Sequence, residues 1–237
     1  RGSIFSKIGV SSNVNYCNYL LMNVLNRNIN NIFLIFLFSH LIIWTIIPSL
    51  TNKNLPLDTI EALAWGSNLD WGFSKHPPMS AFFPEVFFKI FGPQDWSYYL
   101  LSQIFVVISF YYVFKLSNEI LRDTKLSLIS VLLLVSIYFY NFTTPEFNVN
   151  VCQLPFWSLV VYYSWKIYNS KKISFLDCVL VGLFGALGFL SKYLFVYLLV
   201  SIDLLFIYLI FFKKSKKYDF KYLVNLEVFI VLLIPHL

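Results

Sequence analysis

The sequence predicts an all-α fold: a multi-pass transmembrane helix bundle with an outer loop that carries interfacial helices. Three observations predict it. Of 237 residues, 58% are hydrophobic and 13% charged, whereas soluble domains run about 45–50% apolar and about 25% charged. Apolar runs approaching the ~20 residues of a bilayer-spanning helix recur along the chain. Lysine and arginine gather in alternate links between those runs, which fixes orientation by the positive-inside rule.

In chain order, residues 1–31 read as a cytoplasmic tail, partly non-native, with Met22 as the natural start. Arg27 followed by a long apolar run without a small-residue cleavage site reads as a signal anchor. Residues 32–237 form the transmembrane domain, truncated at its C-terminal end. Its expected spans are Ile32–Leu50, Tyr98–Leu116, Leu126–Phe142, Val151–Tyr168, Ile173–Leu190, Tyr193–Phe212 and Leu223–Leu237. Arg1, Lys7 and Arg27 precede the first span, and Lys115, Arg122 and Lys125 follow the second. Lys166, Lys171 and Lys172 follow the fourth, and Lys213, Lys214, Lys216, Lys217 and Lys221 the sixth. These links share the cytoplasmic side, and anionic lipid rather than nucleic acid accounts for the net charge of +6. Cys17, Cys152 and Cys178 lack CxxC spacing, so neither a disulfide framework nor a zinc site follows.

The opposite, non-cytoplasmic side receives the loop 51–97, the short loop Thr143–Asn150 and the turn at Lys192. Within the long loop, Asp58 with Glu61 three residues on suggests an N-cap and capping box, and Gly66 a helix stop. A second helix is expected from Pro78 to Phe91, with Met79, Phe82, Phe83, Val86, Phe87, Ile90 and Phe91 on one membrane-facing side. Glu85 and Lys89 form an i,i+4 pair on the other side.

Chemistry concentrates in Leu55–Pro78. Asp58 is either a helix cap or a carboxylate that orients and deprotonates a hydroxyl. Asp70 is a turn carboxylate or a substrate contact. Lys75 and His76, before Pro77-Pro78, are solvated cations or a grip on phosphate. Glu146 and Asn148 face the same compartment and either cap their loop or contact substrate. Lys192 either snorkels or meets a phosphate. One histidine among scattered acids leaves a divalent metal as a candidate cofactor only, with no ligand set assigned. Of the ionisable residues in spans, His40, Asp177, Asp203 and Glu227, none forms a repeated relay pattern. No Walker A, GxGxxG, HExxH or GxSxG motif occurs, so nucleotide binding and soluble-type hydrolysis are not indicated.

The segment LPLDTIEALAWGSNLDWGFSKHPPMSAFF resembles the first outer loop of bacterial membrane glycosyltransferases of the dolichyl-phosphate-mannose–protein mannosyltransferase type. That group includes the lipid A aminoarabinose transferases and glycosyltransferase family 83. TPEFNVNVCQLPFW and GLFGALGFLSKYLF resemble later family segments. The resemblance implies a C-type glycosyltransferase fold and transfer of a sugar from a polyprenyl-phosphate carrier to a glycan, lipid or protein acceptor at the periplasmic face of the inner membrane. By position it implies Asp58 as the acid that activates the acceptor and Glu61 as an accessory acid. It places Lys75, His76 and Lys192 near the carrier phosphate. A second acid of some relatives has no aspartate equivalent here, where Glu146, Asn148 and Asn150 stand. The rival classes are a transporter or flippase, which calls for broken helices and paired mid-membrane charges, and a non-catalytic membrane scaffold.

Overall fold

The computed structural model describes residues 5–212, 222 and 224–236. Among them are nine α-helices and no strand. They are α1 (Phe5–Thr51), α2 (Leu57–Gly66), α3 (Met79–Phe91), α4 (Asp95–Leu121), α5 (Thr124–Val135), α6 (Val149–Asn169), α7 (Phe175–Ser191), α8 (Val196–Ile207) and α9 (Val224–Leu233). A π-helical turn, Tyr208–Phe212, extends α8, and a 3-10 turn, Ile234–His236, extends α9. The basic cluster Lys213, Lys214, Lys216, Lys217 and Lys221 lies outside the described residues.

Three described helices are long and apolar enough to cross a membrane: Arg27–Thr51, Asp95–Leu121 and Tyr193–Phe212. Shorter apolar helices occupy Thr124–Val135, Phe175–Ser191 and Val224–His236. The expected span Leu126–Phe142 is therefore too long. Polar side chains end it early. Ser136 Oγ donates to the Leu133 carbonyl at 2.6 Å and Asn141 Nδ2 to the Val135 carbonyl at 2.7 Å. These satisfy carbonyls that a continuing helix would have bonded.

α6 packs against α4 and α7, α1 against α4, and α9 against α7. Hydrophobic burial does not drive association within lipid, so close packing and polar ties decide it. Aromatic rings supply much of that packing. Phe33 and Phe114 stack at 4.0 Å between α1 and α4, and Phe83, Phe147 and Phe156 surround Phe105. Gly182 admits α9: a Cβ there would lie 2.4 Å from the Asn225 carbonyl oxygen.

Polar ties mark the two ends. At one, Asn52 Nδ2 donates to Tyr99 Oη at 3.0 Å, and Ser102 Oγ donates to the Thr144 carbonyl. At the other, Lys166 pairs with Asp177 at 2.9 Å and Tyr162 Oη donates to Glu119 at 3.0 Å. Among the span residues singled out from sequence, Asp177 is thus paired and Asp203 accepts from Tyr222 Oη at 3.0 Å. His40 is buried edge-on against Phe110, and Glu227 is exposed.

Two local expectations need correction. Asp58 does not cap α2. The helix starts two residues earlier because the Pro56 carbonyl accepts from the N–H groups of Thr59 and Ile60, which puts Asp58 inside the first turn. Gly66 does not stop the helix in a left-handed conformation; it is the last residue of α2, followed by Ser67 in right-handed helical geometry. Its smallness serves packing, since a Cβ there would lie 2.6 Å from the Ala81 carbonyl oxygen. α3 accordingly buries Met79, Ser80, Ala81, Pro84 and Glu85, while Val86, Ile90 and Phe91 of the expected apolar face are exposed. Glu85 and Lys89 pair as expected, at 3.5 Å.

Candidate active site

The site is built on α2. Pro56 begins the helix and Asp58 lies at its positive end, where a carboxylate is favoured. With no cap to make, the Asp58 carboxylate forms no hydrogen bond among the described residues. Its backbone N–H donates instead to Glu146 Oε1 at 3.2 Å. Thr59, buried, donates its hydroxyl to the Phe147 carbonyl at 3.1 Å. The short loop before α6 thus takes over the capping expected of Asp58 and Glu61, and it fixes α2 over the bundle.

Glu61 is committed elsewhere: Lys75 Nζ donates to its Oε2 at 2.7 Å. That bond raises the Lys75 pKa and keeps the ammonium charged. His76 is held edge-on to Trp65, whose other contact is a stack with Phe73. Partial burial, then the charge of Lys75, lowers the His76 pKa below its ordinary 6.5, against the opposing pull of Glu61 and Asp58. The imidazole is therefore mostly neutral at pH 7. Asp58 lies within electrostatic reach of both Lys75 and His76, and Lys192 within reach of His76.

Lys192 follows α7 in an extended conformation and donates to the Asn150 side chain. Asn148 is the N-cap of α6, accepting from the N–H groups of Asn150 at 3.0 Å and Val151 at 3.2 Å. Asp70 lies exposed after the turn that follows α2. Asp58, Glu61, Lys75, His76 and Lys192 share one end of the bundle, and Glu146 and Asn148 support it. Among the described residues, no three His, Cys, Asp or Glu side chains gather as metal ligands.

Two participants were not singled out from sequence: Tyr193, which directly follows Lys192, and His236, which contacts both Tyr193 and the backbone of Trp71. Asn150, already noted in the place of the second acid, receives Lys192. The alternation of spans was the available signal for His236, since it puts the end of the last apolar run on the same side as the loop.

Beside the site a groove of about 610 Å³ runs between α4, α5 and α6. Val113, Leu116, Leu133, Leu154 and Val161 line it, and Asn150 stands at its upper end. The early stop of α5 leaves this side of the bundle open, with Leu133 and Ile137 exposed at its lip.

Fold and site together define a helical membrane protein with an acid-and-amine cluster at one end. The model of the dolichyl-phosphate-mannose-protein mannosyltransferase family matches residues 75–237, and the chain belongs to that family. It is a mannosyltransferase-like membrane glycosyltransferase of the class that uses a lipid-linked sugar. The match opens at Lys75 and His76 and leaves Asp58 and Glu61 before it. Searches of curated proteins and of solved structures found no match.

Proposed function

We propose that the protein transfers a sugar from a polyprenyl-phosphate carrier to an acceptor hydroxyl on the periplasmic face of the inner membrane. The acceptor is a cell-envelope glycan such as lipid A, or a protein. The observation that carries this reading is the arrangement at one end of the bundle of Asp58, its amide on Glu146, with Lys75 on Glu61 of the same helix and Lys192 on Asn150.

The acceptor oxygen attacks the anomeric carbon and forms the new glycosidic bond. The bond from that carbon to the phosphate oxygen breaks, and polyprenyl phosphate leaves. Asp58, whose carboxylate is not spent on a cap, orients the hydroxyl and takes its proton. Lys75 and Lys192 meet the growing negative charge on the phosphate, and His76 joins them on protonation. Glu61 holds Lys75 in place before the donor arrives. The groove beside Asn150 is lined mostly by apolar side chains such as Val113, Leu116, Leu133, Leu154 and Val161, which suits a long apolar tail on an anionic group.

The test is transfer of labelled sugar from a polyprenyl-phosphate donor in membranes. Wild-type protein gives labelled product. Asp58→Asn loses it by about a thousandfold, the range of removing a general base together with its positioning role, at unchanged protein level. Full activity in Asp58→Asn rejects the assignment of Asp58, and movement of intact donor without bond cleavage rejects the enzyme reading.

A further inference from the structure

His236 makes two hydrogen bonds that join the loop after α2 to the turn after α7. Its Nδ1 bonds the Trp71 carbonyl oxygen, and its Nε2 lies 3.1 Å from Tyr193 Oη. A carbonyl only accepts, so Nδ1 carries the proton and donates. In the neutral ring Nε2 then accepts from the tyrosine hydroxyl, and one tautomer satisfies both contacts. The two partners belong to different segments. Trp71 lies four residues before Lys75 in the loop, and Tyr193 directly follows Lys192. The ring also lies flush with the loop, 3.9 Å from where a Cβ on Gly72 would be. Ring and ion-pair contacts tie Trp71, Phe73, Lys75 and His76 to side chains of α2 and α3. His236 adds a tie from the far end of α9.

We infer that His236 is a positioning residue that sets the spacing between the loop of Lys75 and His76 and the turn of Lys192. This rests on the reading of those three residues as the grip on the donor phosphate. A phosphate gripped from two segments is held only as well as the segments are held to each other. His236 does not touch the donor; it fixes the frame.

Two measurements on the purified membrane protein test this. The first is amide hydrogen exchange across 71–76. His236→Ala speeds exchange there about fivefold to tenfold, the cost of one hydrogen bond, and leaves α6 unchanged. His236→Asn, whose amide N–H can reach the Trp71 carbonyl, restores most of the protection, and Tyr193→Phe gives a smaller loss. The second is transfer kinetics. His236→Ala raises the donor KM about fivefold to tenfold with kcat within about twofold, and His236→Asn recovers the KM. Unchanged exchange in His236→Ala overturns the tie. Faster exchange with an unchanged KM overturns the positioning role. If exchange quickens but no form of the protein moves sugar from polyprenyl phosphate, the tie stands and the glycosyl-transfer reading fails.

Discussion

Lys75 already holds an anion, Glu61, at 2.7 Å, and both side chains are substantially exposed. Solvent screens an exposed pair of this kind, so it contributes little and an arriving phosphate can take the ammonium with little loss. His76 behaves differently. Burial and Lys75 hold its pKa below 6.5, so the folded chain resists the proton that an unfolded chain would accept. This group makes stability fall as pH drops through about 6.5, where the unfolded chain binds the extra proton. A bound phosphate reverses the local balance, because an anion beside His76 favours the charged ring. Donor binding should therefore take up a proton and tighten as pH falls from 7.5 towards 6. Titration calorimetry with a water-soluble polyprenyl-phosphate analogue, in buffers of different ionisation enthalpy, checks this. Binding of His76→Ala should lose most of that pH dependence, and equal pH dependence in both proteins would remove His76 from the phosphate site. The sequence showed these charges but not their partners. The spacing of Asp58 and Glu61 pointed to a capping box, a local device, whereas the actual partners come from 14 and 88 residues away: Lys75 on Glu61, and Glu146 on the Asp58 amide.

At the scale of elements, the contact between α2 and α3 decides where the charged residues stand. Gly66 presses against the Ala81 carbonyl, and a Cβ there would come within 2.6 Å of that oxygen and 2.9 Å of Glu85 Cβ. Neither atom belongs to a flexible chain end, so Gly66→Ala must separate the helices. The expected cost is about 1–3 kcal/mol, as for other overpacked sites, read as a lower thermal midpoint in detergent. Transfer activity should fall with it, because α2 carries Asp58 and Glu61. An unchanged midpoint would mean that the two helices do not meet this closely. The helices themselves were legible: the Asp58–Glu61 spacing and Gly66 placed α2, and the apolar periodicity from Pro78 placed α3, each within about two residues. Their facing sides were not. α3 carries Phe82, Phe83, Phe87, Phe88 and Phe91 on several sides, so periodicity singled out the bulky face, while the small residues Ser80 and Ala81 form the buried contact. Between helices in lipid, closeness counts for more than apolarity.

Across the whole molecule, α7 carries three glycines at intervals of three, Gly182, Gly185 and Gly188, and each meets a different partner. A Cβ on Gly182 would strike the Asn225 backbone of α9 at 2.4 Å, and one on Gly188 the Phe195 ring at 2.4 Å. A Cβ on Gly185 would meet the end of the Leu199 side chain at 3.2 Å. The segment GLFGALGFLSKYLF was legible as a family resemblance, and sequence made its glycines equivalent. The structure makes them unequal, and α9 depends on the first of them. Alanine in a helix gains up to about 1 kcal/mol over glycine, and that gain is realised only where the new methyl fits. Gly185→Ala should be near neutral or slightly stabilising, since Leu199 can change rotamer. Gly182→Ala should lose about 1–3 kcal/mol, because a backbone carbonyl cannot turn aside and α9 must move off α7. Such a movement also carries His236 away from Trp71, so transfer should decline in Gly182→Ala and persist in Gly185→Ala. Unfolding midpoints and transfer rates of the two variants in one detergent decide the matter, and equal behaviour would show that α9 does not rest on Gly182.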